Sequence, residues 1–254
     1  MTATIEQRRD GMRGRSFAVA VPVVALGVVL TAILTVVLSG VGLLVGAVIT
    51  AAATVVRVRT FGASIDRRIV DAFSTRPASA VPAAAGFCNL VAGLGASVGV
   101  DVTDLRVVDD EGCNLLVVDD GKGGSVMMAT SGLLGALSRV ELEGVVARAL
   151  MQIRTGEAAA VVAELAMDRA PDVKVIRNLI GGRSVLDDPD RDLMLDRDAV
   201  GITRYPPGLM GALDVCRRAT TRVAGADPAT SALWLADPTG HRTLDERIEV
   251  LGLL

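Results

Sequence analysis

The residues able to do chemistry are few. The 254-residue chain has one histidine, His241, and three cysteines, Cys88, Cys113 and Cys216. No Ser/His/Asp or Cys/His set assembles around a single imidazole, and widely spaced cysteines without C-x-x-C read as reduced thiols. A lone His in a loop before a helix is a capping or packing residue, or a relic of substrate recognition. Gly121-Lys122-Gly123-Gly124 invites a phosphate-loop reading, but it lacks the G-x-x-x-x-G-K-[ST] spacing and lies between strands, which makes it a hairpin turn. Asp192 and Asp196 could form a metal site. The competing reading makes them helix carboxylates paired with Arg191 or Arg197.

The elements that must position these residues follow from periodicity and breakers. From Phe17 to Val56 no residue is charged. A span needs roughly 20 apolar residues, so this stretch, broken at Ser39-Gly40-Val41-Gly42, reads as two membrane helices at about 17–38 and 42–56. A cleaved signal peptide has an apolar core of only about 7–15 residues. Arg8, Arg9, Arg13 and Arg15 precede the stretch and Arg57, Arg59, Arg67 and Arg68 follow it. The positive-inside rule places both clusters, and hence the N-terminus and the remaining domain, in the cytoplasm. A buried hydrophobic hairpin in a soluble protein is the alternative.

Beyond the N-terminal segment (1–60), residues 61–254 read as one domain of class α+β, mostly α. Helices are expected over Phe61–Phe73, ending at the breaker Thr75-Arg76-Pro77, and over Ala83–Val100, with Ala78–Pro82 as linker. Leu105–Val108, Asn114–Val118 and Val126–Ala129 are strand-like and separated by turn-rich segments, which predicts hairpins and a small antiparallel sheet. Ser138 with Glu141 has the spacing of a capping box and opens a helix through Val145, Val146, Leu150 and Ile153. Further helices are expected at Glu157–Met167, Asp190–Thr203, Pro207–Thr221, Pro228–Leu233 and Leu244–Leu251, with a mobile loop at about 171–190. The net charge is −3 and aromatics make up 2% of residues, a composition that disfavours a nucleic-acid surface built on stacking.

The run V-E-L-E-G-V-V-A-R-A-L at Val140–Leu150, with Met151, Gln152 and Ile153, resembles the active-site helix of the HtpX-like membrane zinc metallopeptidases, bacterial relatives of the CAAX prenyl proteases. There the run reads roughly D-E-L-E-G-V-L-A-H-E-L-S-H-I. Its H-E-x-x-H places two imidazoles on one helical face for zinc, with the Glu as general base. The corresponding positions here are Arg148, Ala149 and Gln152. Asp109, Glu111, Gly112, Cys113 and Asn114 resemble the segment whose Asn precedes the edge strand beside the substrate cleft. Val126–Leu137 is similar to the strand and turn leading into the zinc helix, and Arg191–Ala199 is similar to R-E-x-x-A-D-R-x-A, whose Glu is the third zinc ligand and is Asp192 here. Arg204–Leu209 and the closing His241, Leu244, Glu246, Arg247 and Ile248 also match.

The resemblance implies a zincin-like domain behind a membrane hairpin, without the ligands and base of catalysis. One His and one Asp do not supply the three protein ligands of a catalytic zinc site. The expectation is therefore an inactive, membrane-anchored pseudoprotease with no metal or cofactor, acting by binding. Its partners would be the bilayer and another protein, and not nucleic acid; its oligomeric state stays open. The alternative is an active metalloendopeptidase with unusual ligands. Arg148 is either a functional cation holding a carboxylate ligand in the old cleft or a structural residue satisfied by a nearby acid. The residues expected to share the old cleft are Arg148, Gln152, Asp192, Asp196, His241 and Asn114. Since Arg148 and Asp192 stand at positions that would both have faced one ion, they are expected to pair directly, with Asp196 and Gln152 completing a polar cluster.

Overall fold

The computed structural model describes residues 65–169, 184–236 and 241–254, with 21, 23–29, 32, 48–54 and 56 nearer the N-terminus. The described residues of the two expected membrane spans are helical; most of the first span and about half of the second lie outside the described residues. Among the described residues, no helix is long and apolar enough to cross a membrane. By contacts the chain divides into two units, residues 1–65 with 163–183, and residues 66–162 with 184–254.

In the second unit the helices follow the sequence closely. They are α1 (Ile65–Asp71), α2 (Ala85–Val98), α3 (Ser131–Ala136), α4 (Arg139–Arg154), α5 (Glu157–Asp168, which reaches into the first unit), α6 (Arg191–Thr203), α7 (Pro206–Arg218) and α8 (Leu244–Leu251). Local chemistry sets several of their starts. Ser138 accepts from Glu141 N and the Glu141 side chain accepts from Ser138 N, the reciprocal capping box expected for α4. Thr243 and Glu246 repeat it at α8, and Pro206 at the first position opens α7. Pro228–Leu233 forms 3-10 turns instead of an α-helix. Of the expected mobile loop, residues 171–183 lie outside the described residues. Ser184 caps a 3-10 turn at Val185–Asp187 within the loop's last part.

The sheet departs from the expectation. It has four strands in the order β1-β2-β4-β3, made of β1 (Thr75–Pro77), β2 (Asp104–Val108), β3 (Leu115–Asp119) and β4 (Ser125–Thr130). β3 and β4 form the expected hairpin, with Asp119, Asp120 and the positive-φ Gly121 and Gly123 in its turn. However, β2 pairs with β4 in parallel, not with β3, so the sheet is mixed and not antiparallel. The supposed breaker Thr75-Arg76-Pro77 is itself a strand, antiparallel to β2. Hydrogen bonding explains why Asp109–Gly112 is a crossover and not a hairpin turn. Asp110 N donates to Ser131 Oγ and Gly132 N donates to Asp110 O, which tie the segment across the end of β4. The backbones pass so closely that any Cβ at Gly132 would meet Glu111 O.

Helix α4 is the centre of this unit. Every residue from Gly144 to Gln152 is buried, because α2, α6, α7 and β3 all pack on it. A helix buried all round is normally apolar all round. Arg148 and Gln152 break that rule, and they are where the site begins.

Candidate functional site

Arg148 is 1% exposed, and Asp192 and Asp196 on the facing α6 are 6% and 1% exposed. The pair expected from the sequence is present. Arg148 Nη2 donates to Asp192 Oδ1 at 2.7 Å, and Arg148 Nε donates to Asp196 Oδ1 at 2.8 Å. One guanidinium thus bridges two carboxylates a turn apart on α6, the charge-assisted geometry that makes such bonds short.

Two further arginines complete the cluster. Arg247 on α8, 1% exposed, grips Asp196 with Nε to Oδ2 at 2.7 Å and Nη2 to Oδ1 at 2.8 Å, a bidentate fork. Its Nη1 donates to Leu235 O at 2.7 Å. Arg191 lies 3.4 Å from Asp192 Oδ1 and 2.8 Å from Glu157 Oε1 on α5, the latter an ion pair whose N–H is not aligned on the oxygen. Three guanidiniums therefore face three carboxylates, drawn from α4, α5, α6 and α8. Sequence reasoning noted Arg247 only as part of a closing motif, and Glu157 only as a helix start. Both act across long sequence separations, for which local spacing carries no signal.

Electrostatics follow from this balance. Burial pushes the Arg148 guanidinium down from its ordinary value, and Arg247 adds to that, against Asp196 and Asp192. Burial would raise the Asp192 carboxyl, but Arg148, then Arg247 and Arg191, outweigh it and hold the carboxyl below its usual range. For Arg247 burial is outweighed by Asp196, which holds the proton more firmly. The guanidiniums stay charged throughout.

The other expected residues are placed as follows. Ala149 is buried on α4. Gln152 joins the cluster only indirectly: its Nε2 donates to Ala232 O at 3.3 Å, the same carbonyl that Arg191 Nη2 reaches at 2.8 Å. His241 is exposed and its Nε2 is 2.9 Å from Leu186 O. It shares with Arg191 and Asp192 the lining of a cavity of about 230 Å³, closed on other sides by Leu186, Pro228 and Ala232. Asn114 stands before β3, as expected, and is fully engaged with main chain. Its Oδ1 accepts from Leu115 N and Ala236 N, and its Nδ2 donates to Ala236 O and Thr221 O.

These bonds build a strap. Trp234 bridges Leu116 in antiparallel sense and Leu235 N donates to Leu115 O at 2.8 Å, so the outer edge of β3 is taken at its start by the chain's own residues 234–236. Arg191 and Gln152 hold the strap at Ala232, Arg247 holds it at Leu235, and Asn114 holds it at Ala236.

A zinc ion is what the resemblance implies between α4 and α6, and the residues do not fit it. Asp192 and Asp196 are already neutralised by permanent cations that no dication could share space with. Among the described residues no group of three or more His, Cys, Asp and Glu side chains is arranged to hold a metal.

Fold and site together define an α+β domain built around a buried helix whose polar core is an arginine–carboxylate lattice. The chain is similar to proteins named Protease HtpX homolog. It is 25% identical over 207 residues to that of Dictyoglomus turgidum (65% of this chain, 68% of the relative). It is 25% identical over 206 residues to that of Dictyoglomus thermophilum, with the same coverage, and 26% identical over 203 residues to that of Limosilactobacillus reuteri (60% and 67%). These likenesses support an HtpX-like family for the chain. No family model matches it, and no solved structure does.

Proposed function

We propose that this chain is a membrane-anchored pseudoprotease of the HtpX-like family, a zincin-like domain that acts by binding a membrane protein, an active relative or a larger assembly. The observation that carries the reading is the lattice itself. Where the resemblance puts two imidazoles and a carboxylate around one metal, Arg148 and Asp192 bond directly at 2.7 Å, with Arg247 and Asp196 behind them. A permanent cation at the metal's position offers neither a Lewis acid nor an activated water. The strap over the start of β3 supports it further, since an extended substrate would need that row of main-chain groups. The charge-free stretch 17–56, flanked by arginines, supports the anchor.

The second reading, a metalloendopeptidase with unusual ligands, draws on one observation: Asp192 and His241 line a single cavity. Metal content and casein cleavage of the full chain purified in detergent separate the two. The pseudoprotease reading expects sub-stoichiometric zinc and no cleavage above a buffer control. Stoichiometric zinc that is lost in Asp192→Asn or His241→Ala, with cleavage lost alongside, overturns it.

A further inference from the structure

Cys113 ends the crossover into β3, and Cys216 lies near the end of α7. Their sulfurs are 2.9 Å apart, and the residues are 1% and 0% exposed. Separated by 103 positions in sequence, they are held together by one main-chain and one side-chain hydrogen bond beside them. Cys113 N donates to Thr220 O at 2.7 Å, and Asn114 Nδ2 donates to Thr221 O at 2.9 Å. The third cysteine, Cys88, is half-buried on α2 and lines a different cavity.

We propose that Cys113 and Cys216 are an oxidisable dithiol, a modification site at which a hydroperoxide closes a disulfide between the start of β3 and the end of α7. The pair is asymmetric in the way the chemistry requires. The two sulfurs share one hydrogen bond in which either can donate, and the bond to Cys216 outweighs burial to bring the Cys113 thiol below its ordinary value. The same bond, with burial, holds the proton on Cys216. Cys113 is therefore the attacking sulfur. Its thiolate displaces hydroxide from hydrogen peroxide, breaking the O–O bond and forming the Cys113 sulfenic acid. That hydroxide takes the Cys216 proton and leaves as water. The Cys216 thiolate then attacks the sulfenic sulfur; the S–S bond forms, the S–O bond breaks, and the departing hydroxide takes up the proton that Cys113 gave up on ionising, leaving as a second water. Two thiols and one peroxide thus give one disulfide and two waters, the sulfurs losing two electrons to the peroxide oxygens.

Geometry permits the bond. A disulfide is about 2.05 Å long, so roughly 0.9 Å of closure is needed, within the reach of two side-chain torsions. The nearest surface is the end of α7, where Ala219 and Thr220 are exposed and Thr220 O accepts from Cys113 N; a small peroxide is the oxidant suited to that approach. The bond closes a loop of the same 103-residue separation, the long-loop case in which a crosslink restricts the unfolded chain most.

The test uses the full chain in detergent, treated with hydrogen peroxide, alkylated, then digested for mass spectrometry. The expected result is a Cys113–Cys216 linked peptide lighter by two hydrogens than the sum of its thiols, Cys88 still alkylated, reversal by dithiothreitol, and a Tm raised by roughly 5–10 °C over the reduced form. Cys216→Ala should leave Cys113 as a sulfenic acid trapped by dimedone, a readout that does not need the linked peptide. Oxidation confined to Cys88, or Cys113 alkylated unchanged in the wild-type chain after peroxide, overturns the proposal.

Discussion

Removing Arg148 leaves more behind than it takes away. Two guanidiniums would then face three carboxylates: Asp196 keeps its fork with Arg247, while Asp192 keeps only the 3.4 Å contact with Arg191. Breaking a buried pair from one side costs on the order of 3–5 kcal/mol, while replacing both partners by apolar groups is close to neutral. Arg148→Ala should lower the unfolding free energy by about that amount in urea titration, and Arg148→Met with Asp192→Leu should recover more than half of it. The same chemistry sets an acid limit. Because the Asp192 carboxyl sits below its unfolded value of about 3.9, its contribution is complete above that value and is lost as pH falls through the folded one. Stability measured by urea midpoint should therefore fall steeply below about pH 4, and Asp192→Leu paired with Arg148→Met should flatten that fall. The Arg148–Asp192 bond was legible in the sequence because opposite charges replaced residues that share one ion in the resembling family. Arg247 was not, since nothing within its own helix marks it as buried; only the fold brings α8 onto α6.

Among the elements, local signals succeeded and pairing signals failed, for a physical reason. A capping box is satisfied within four residues, so Ser138–Glu141 fixes the start of α4 whatever surrounds it. Strand order has no such local signature: β2 and β4 are parallel neighbours because Ser131 and Gly132 capture the main chain of Asp110, a contact between segments some 20 residues apart. β1 escaped because a three-residue strand containing proline looks like a break; at a sheet edge the missing N–H costs nothing. The approach of α7 to α4 is likewise unmarked except by glycine. A Cβ at Gly144 would sit 2.7 Å from Leu209 N and 2.9 Å from its Cα, backbone atoms that no rotamer change can move. Gly144→Ala should destabilise by about 1–3 kcal/mol and, because α4 carries Arg148, should also broaden the acid transition. Gly135→Ala, where a Cβ meets nothing, is the control and should leave both unchanged.

At the scale of the whole molecule, the arginine pattern argues for an orientation of the proposed anchor. The stretch 17–56 is free of charge, while Arg8, Arg9, Arg13 and Arg15 precede it and Arg57, Arg59, Arg67 and Arg68 follow. A single crossing would carry one of these clusters to the far side, against the bias that retains short arginine-rich segments in the cytoplasm. The two proposed crossings would return the chain to the side from which it started, and each cluster would stay where the bias puts it. In the proposed topology the lattice domain, with Arg148, Asp192 and Arg247, would lie on the same side as the N-terminus, and a bound protein would be met there. Fusions of a topology reporter at residue 10 and after Leu254 should both report the cytoplasm. Replacing Arg57, Arg59, Arg67 and Arg68 together by neutral residues should let a measurable fraction of the C-terminal fusions appear outside, because the second crossing then loses its stop. A wild-type C-terminal fusion active only outside would mean one crossing, and would move the whole lattice domain, and whatever binds it, across the membrane.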